Sequence, residues 1–135
     1  MGEQFKTNNS LFLPIVGLAG WVVPGAGYLF LNDRKRAAII FVTIVALFCI
    51  GLHAGSIGVV DFVGEAPFYV KIAQYFNPPV VFIIAHTTAG GQYPVAGWPN
   101  DIGQIYTMLS GLLNFLCITN ALYLAYLRQY GNDGE

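Results

Sequence analysis

Two histidines, His53 and His86, are of a type that could bind a metal ion, haem or chlorophyll. Each ends an apolar run, so a shared site is geometrically possible. In the alternative interpretation, each imidazole caps a helix end or hydrogen-bonds a backbone carbonyl. Two histidines without any ligand spacing favour this alternative. We therefore predict no cofactor and no metal, and His53 and His86 are the candidate ligands if a cofactor is bound.

No acidic or thiol group of the sequence stands in a catalytic pattern. Cys49 and Cys117 lie inside separate apolar runs and match neither a zinc spacing nor a disulfide framework. An acid within a membrane span would indicate proton or ion transport. The five acids nearest to the apolar runs all fall outside them: Asp33, Asp61, Glu65, Asp101 and Asp133. We predict that the protein is not an enzyme.

Small and hydrogen-bonding side chains form a stripe along residues 102–128, at alternating steps of four and three. Stripes of this kind are typical of helix–helix interfaces in membranes. Asn114 is the most polar group of the stripe, and a contact with a transported solute is the alternative role for its amide. A second set with similar spacing lies near the N-terminus. The two predicted packing sets are Gly103, Thr107, Ser110, Asn114, Cys117 and Ala121, and Gly17, Gly20, Pro24 and Gly27.

The composition indicates a membrane protein. Of the 135 residues, 56% are hydrophobic and only 10% are charged, whereas a soluble domain carries about 25% charged residues. The mean hydropathy is +0.59. A net charge of -1 provides no basic surface for nucleic acid, so none is predicted as a partner. The length fits a single membrane domain over residues 1–135, in contact with lipid and other membrane subunits.

Three apolar stretches, at about 11–31, 37–54 and 102–128, predict three transmembrane helices. Pro24 should kink the first. The first stretch also has features of a signal peptide, but its basic cluster follows the apolar run, so we predict that it is retained. Basic residues favour the cytoplasm, which predicts an external N-terminus and a cytoplasmic C-terminus. The residues that determine this topology are Arg34, Lys35, Arg36 and Arg128.

Residues 56–101 form the ambiguous part of the chain and are predicted to be an insertion on the outer face. Phe68, Ile72 and Tyr75 recur at helical spacing opposite Lys71 and Gln74, which suits a short helix lying in the membrane interface. Pro78-Pro79 should end this helix. The apolar run at 80–86 is too short to cross a bilayer, so it is either a half-membrane segment or a core piece.

Two stretches resemble known bacterial membrane proteins. The sequence WVVPGAGY at residues 21–28 leads into a short basic turn at residues 32–36, NDRKR. Together they resemble the "two-transmembrane" hairpin domain of many small bacterial membrane proteins. The stretch IGQIYTMLSGLLNFLCITNA at 102–121 resembles part of an uncharacterised bacterial family. Proteins of that family combine such a span with an N-terminal hairpin of this kind. In that family an aspartate commonly stands where this chain has Asn120. The resemblance implies a small integral protein of the bacterial inner membrane and supplies no activity.

Two classes of function fit these features. The first is a non-catalytic accessory or structural subunit of a larger membrane complex, for example an energy-converting (respiratory or photosynthetic) one. The second is a small homo-oligomeric transporter or channel subunit in which the Gly17, Gly20, Pro24 and Gly27 face lines the route. A pore requires recurring polar residues along its lining. The first stretch offers none before Asn32, so we predict the accessory subunit.

Overall fold

A computed structural model describes residues 11–55, 59–60, 67–88 and 98–131. Helices make up almost all of these residues, and no strand occurs among them, which confirms the predicted all-α class. The helices are α1 (Phe12–Val22), α2 (Ala26–Phe30), α3 (Arg34–Gly55), α4 (Phe68–Tyr75), α5 (Val80–Thr88) and α6 (Trp98–Tyr130).

Two helices of the described chain, α3 and α6, are long and apolar enough to cross a membrane. A helix of about 20 residues spans 30 Å, and these two have 22 and 33 residues. The basic turn begins α3 rather than preceding it. Asp33 caps this helix, since its carboxylate accepts a hydrogen bond from the Arg36 backbone N–H (3.3 Å) and pairs with the Arg36 side chain (3.0 Å).

Helices α3 and α6 pack side by side in opposite directions, with glycines at the closest approach. A Cβ atom on Gly103 of α6 would lie 2.7 Å from the Gly55 Cα and 2.8 Å from the Gly51 carbonyl oxygen of α3. Further along, the Ser110 hydroxyl of α6 reaches the Ile44 carbonyl of α3. Residue numbers therefore rise in one helix as they fall in the other. The start of α3 and the end of α6 consequently lie at the same end of the bundle, which we call the basic end.

Helices α1 and α2 form a hairpin that folds back on itself. Gly25 makes the reversal in the left-handed region (φ 81°), where glycine carries no steric penalty. A Cβ on Gly27 would lie 3.3 Å from the carbonyl oxygen of Val16, and the backbone N of Gly27 is 3.7 Å from the Cβ position of Gly20. In a straight helix, eleven residues would separate Val16 from Gly27 by about 16 Å. The first apolar stretch therefore turns back.

The hairpin lies against the half of α6 near the basic end. Gly17 and Gly20 of α1 face Leu122 and Ile118 of α6, so α1 is antiparallel to α6 and begins at the basic end. The Asn120 amide of α6 donates to the Tyr28 hydroxyl of α2 (2.8 Å). A buried apolar cluster joins α1 and α2 to α6 and to the start of α3. Its residues are Val16, Tyr28, Leu31, Ala37, Ala121 and Ala125.

This arrangement corrects the prediction that residues 11–31 form one kinked transmembrane helix. With 11 residues, α1 reaches about 16 Å, or half of a 30 Å hydrocarbon core. The chain then returns to its starting end before α3 begins. The predicted external N-terminus is not supported either, because α1 and α3 start at the same end.

Helix α4 runs alongside α6 in the same direction, from the end opposite the basic end to the middle of α6. Ala73 and Phe76 of α4 meet Gly111 and Asn114 of α6, so residue numbers rise together in the two helices. The prediction that Gln74 lies on the outward polar side of α4 is wrong. Gln74 is fully buried, whereas Phe68 is 77% exposed. The polar side of the helix faces the bundle because polar groups find their partners there.

After Pro78 and Pro79, α5 begins next to the end of α4. Val81 of α5 packs with Val60, Phe48 and Leu52. The Phe82 ring lies 6.4 Å from Trp21 and 5.2 Å from Tyr75, centroid to centroid. The rest of the predicted 56–101 insertion, at residues 56–58, 61–66 and 89–97, falls outside the described residues.

Candidate functional site

Five uncharged polar side chains are fully buried between α3, α4 and α6, around the middle of α6. We call them the polar cluster: Gln74, Asn77, Thr107, Ser110 and Asn114, each 0% exposed. Two come from the end of α4 and three from the α6 stripe. A buried polar group without a partner costs free energy, so the hydrogen bonds of the cluster determine what it can do.

Gln74 and Thr107 form the first part of the cluster. The Gln74 amide Nε2 donates to the Thr107 hydroxyl (3.0 Å) and to the Val59 carbonyl (3.2 Å). The Thr107 hydroxyl lies 3.1 Å from the carbonyls of Gly103 and Gln104 in its own helix. These bonds tie the end of α4 and the segment at residue 59 to α6.

Asn77 and Ser110 form the second part. The Asn77 Nδ2 donates to the Thr107 carbonyl (3.0 Å). The Ser110 hydroxyl lies 3.0 Å from the Asn77 Oδ1 and 3.2 Å from the Ile44 carbonyl of α3. Its single hydrogen can serve one of the two acceptors at a time. Ser110 therefore connects three helices at one point.

Asn114 forms the third part, at the central residue of α6. Its Nδ2 donates to the Phe76 carbonyl (2.8 Å), one of the last carbonyls of α4. Helix ends leave such carbonyls without an intrahelical donor. The rings of Phe76 and Phe115 pack against each other beside this bond, with centroids 4.5 Å apart and planes tilted by 48°. Asn114 thus caps α4 from the side.

Two acceptor atoms of the cluster have no hydrogen-bond partner within the described part of the chain: Gln74 Oε1 and Asn114 Oδ1. Each could accept one hydrogen bond from a donor. The cluster contains no ionisable group, so its own chemistry is limited to donating and accepting hydrogen bonds. Such bonds between membrane helices are worth about 0.6 kcal/mol on average.

The structure brings the two predicted packing sets together. Gly27 of the N-terminal set meets Ala121 of the α6 stripe, since a Cβ on Gly27 would lie 3.0 Å from the Ala121 Cβ. Pro24 is buried at the hairpin turn, and Cys117 is half-buried beside the apolar cluster. Together with the Gly103 contact and the polar cluster, all ten residues lie at or beside helix contacts within this one chain.

Sequence reasoning missed Gln74 and Asn77. The helical spacing predicts an outward position for Gln74, and it gives Asn77 no role. The signal was present, because these residues are three positions apart and directly precede Pro78-Pro79. Polar groups beside a helix break pair with the carbonyls that the break leaves free. In an apolar bundle this spacing indicates an inward face.

The histidines and cysteines do not converge on one site. His53 is exposed in the last turn of α3, and His86 is exposed on α5. Within the described residues, no three His, Cys, Asp or Glu side chains form a group that could hold a metal ion. Cys49 is exposed, Cys117 is half-buried, and both are free thiols.

The predicted topology residues share one end of the bundle. Arg34, Lys35 and Arg36 lie in the first turn of α3, and Arg128 lies in the last turns of α6. All four are exposed. Asp101, at the opposite end of α6, is the acid farthest from them among the described residues.

Comparison with known proteins identifies a family. The model of a family of unknown function, DUF6677, matches residues 15–130. This match covers α1, α2, the two long helices and the polar cluster. No curated protein and no solved structure matches the chain. The chain therefore belongs to the DUF6677 family.

Proposed function

We propose that this protein is a non-catalytic accessory or structural subunit of a larger bacterial membrane complex, for example an energy-converting one. The observation that carries the proposal is the nature of the buried polar cluster. Its five side chains are amides and hydroxyls without an ionisable group, and its bonds join α3, α4 and α6. Such a set holds helices together. It supplies no nucleophile, general base or proton relay.

The outward surface of the long helices supports placement in a membrane. In the most apolar 18-residue window of each helix, only 17% of α3 and 28% of α6 is buried inside the chain. The core helix of a soluble protein is mostly buried, and water would penalise this exposed apolar area. Lipid and neighbouring membrane helices would cover it without that cost.

The same surface supports contact with partner subunits. Both stripes of small residues pack against other helices of this same chain. A partner subunit would therefore contact the outward faces of α3 and α6. These faces carry large apolar side chains, such as Val42 of α3 (63% exposed) and Leu116 of α6 (61% exposed). Side chains of this kind are sufficient for van der Waals packing against another helix.

In the proposed topology the chain crosses the bacterial inner membrane twice, through α3 and α6, with the basic end in the cytoplasm. The positive-inside rule supports this side, since Arg34, Lys35, Arg36 and Arg128 share that end. Helices α1 and α2 then enter from the cytoplasmic side and return to it. Both ends of the chain would be cytoplasmic. The resemblance of residues 21–28 and the basic turn after them to the two-transmembrane hairpin domain stays a prediction.

Site-specific photo-crosslinking in intact bacterial membranes tests the subunit proposal. A photoreactive residue at Val42 or Leu116 faces outward, whereas the same residue at the buried Ile44 is the matched control. We expect a discrete adduct with a different membrane protein from an outward position and none from Ile44. Adducts with only a second copy of this chain, or with lipid alone, would overturn the proposal.

A transporter or channel subunit is the second candidate, favoured by two acceptors that have no partner among the described residues, Gln74 Oε1 and Asn114 Oδ1, near the break between α4 and α5. The route first considered for it is closed, because Gly17, Gly20 and Gly27 pack against Leu122, Ile118 and Ala121. Solute or ion flux into liposomes containing the pure protein tests this candidate. Flux abolished by Asn114→Leu would favour it over the subunit.

A further inference from the structure

We infer that the basic end of the bundle binds the headgroup of an anionic phospholipid through Arg34, Lys35 and Arg128. This inference rests on the proposed membrane placement and adds a specific ligand class to it. The recognised chemistry is a phosphate-bearing headgroup whose acyl chains lie beside the protein.

The charges of the described residues are separated along the bundle. The basic end carries four exposed basic side chains and one acid, Asp33. Asp33 is engaged with Arg36 at 3.0 Å. Within the described chain, no carboxylate lies within salt-bridge distance of Arg34, Lys35 or Arg128. Among the described residues, therefore, no acid neutralises these three cations.

Exposed apolar and aromatic side chains lie at the same end of the bundle as these cations. Leu29 and Phe30 of α2, which directly precede the basic turn, are 54% and 50% exposed. Tyr123, Tyr126 and Tyr130 are exposed around Arg128. Tyrosines are enriched at the headgroup level of membranes, and basic residues beside an apolar surface attract anionic lipids.

This neighbourhood favours a lipid over an acidic soluble protein. A purely electrostatic docking surface would not place half-exposed Leu29 and Phe30 within a few residues of its cations, because water would penalise the exposed apolar side chains. A phospholipid would cover both the cations and the exposed apolar side chains. Its phosphate would pair with the cations, and its acyl chains would cover the apolar side chains. Arginine is suited to this role because its planar guanidinium can bind phosphate through two hydrogen bonds.

The test uses the full-length protein in detergent, titrated with phosphatidylglycerol or with phosphatidylcholine of the same acyl chains. Thermal unfolding and lipid adducts in native mass spectrometry are the readouts. We expect phosphatidylglycerol to raise the melting temperature and form adducts, phosphatidylcholine to do neither, and added salt to weaken the effect. The variant Arg34→Gln/Lys35→Gln should bind phosphatidylglycerol about fivefold more weakly for each charge removed.

Two controls keep the outcome interpretable. Lys71→Gln removes a charge from the opposite end and should leave phosphatidylglycerol binding unchanged, and Arg34→Lys should retain most of it. Equal effects of the two lipids, equal loss in Lys71→Gln, or the same stabilisation by inorganic phosphate would overturn the inference. The measurement uses the isolated chain, so its failure is separate from failure of the subunit proposal.

Discussion

Gly111 of α6 lies directly against the backbone of Ala73 in α4. A Cβ atom on Gly111 would overlap the carbonyl oxygen of Ala73 and lie 3.1 Å from the Asn77 amide nitrogen. Backbone carbonyls cannot rotate away as a flexible side chain can. This contact sets the separation of the two helices and hence the length of the hydrogen bonds that cross between them, such as Gln74 to Thr107 and Asn114 to Phe76.

Gly111→Ala should therefore destabilise the protein by about 1–3 kcal/mol, the usual effect of inserting a methyl group into a packed core. Thermal unfolding of the detergent-extracted protein measures the effect. Gly17→Ala is the matched control, since its Cβ would meet only the flexible end of Leu122, at 3.3 Å. Equal melting temperatures for the two variants would contradict the close contact with α4.

Asn114 tests the bond between the middle of α6 and the end of α4. Asn114→Leu removes the donor to the Phe76 carbonyl and should cost about 0.6–2 kcal/mol. Asn114→Asp should cost more, because an ionised carboxylate would face a carbonyl oxygen and is itself expensive in a membrane, by about 2.5–3.5 kcal/mol.

Thermal unfolding of both Asn114 variants provides the comparison. Thr119→Val is the control, because the Thr119 hydroxyl bonds only within its own helix, to the Phe115 carbonyl. An Asn114→Leu variant that keeps the melting temperature of the unmodified protein but abolishes an ion flux would make Asn114 a transport residue.

Gly25 tests the hairpin. Gly25→Ala should be strongly destabilising for two reasons. The left-handed conformation costs an L-residue roughly 1–2 kcal/mol, and the new Cβ would lie 2.6 Å from the Ala37 carbonyl oxygen. Asn32 also has a positive φ, of 57°, so Asn32→Gly should be tolerated. Protease resistance of the N-terminal region reports on both variants, and a fully stable Gly25→Ala protein would contradict the reversal.

The sequence was sufficient to predict the all-α class, and the small and polar stripe that it defines on α6 lies at the helix contacts. Residues that recur every three or four positions share one side of any α-helix. The stripe can therefore be recognised in the sequence before the tertiary structure is known. The reversal at Gly25 was not readable in this way. Pro24 predicts a break, but a kink and a complete turn share the same residues, and only the packing of Gly27 against Val16 distinguishes them.

The orientation of α4 was misjudged for a related reason. The apolar side of a helix was assumed to face the protein or the bilayer interior, with Lys71 and Gln74 in water. In a bundle whose outside is apolar, the amides turn inward, and Phe68, Ile72 and Tyr75 turn outward. The partners of Gln74 are 15 and 33 residues away along the chain, so no local pattern could indicate them.

Cysteine labelling in intact cells tests the two-crossing architecture most directly. In a background with Cys49 and Cys117 replaced by alanine, single cysteines are introduced by Gln4→Cys, Asn132→Cys and Asp101→Cys. Our account predicts that a membrane-impermeant reagent labels position 101 from outside the cell, whereas positions 4 and 132 react only after the cells are opened. Labelling of position 4 from outside, together with position 101, would show that residues 11–31 cross the membrane and would contradict the half-depth hairpin.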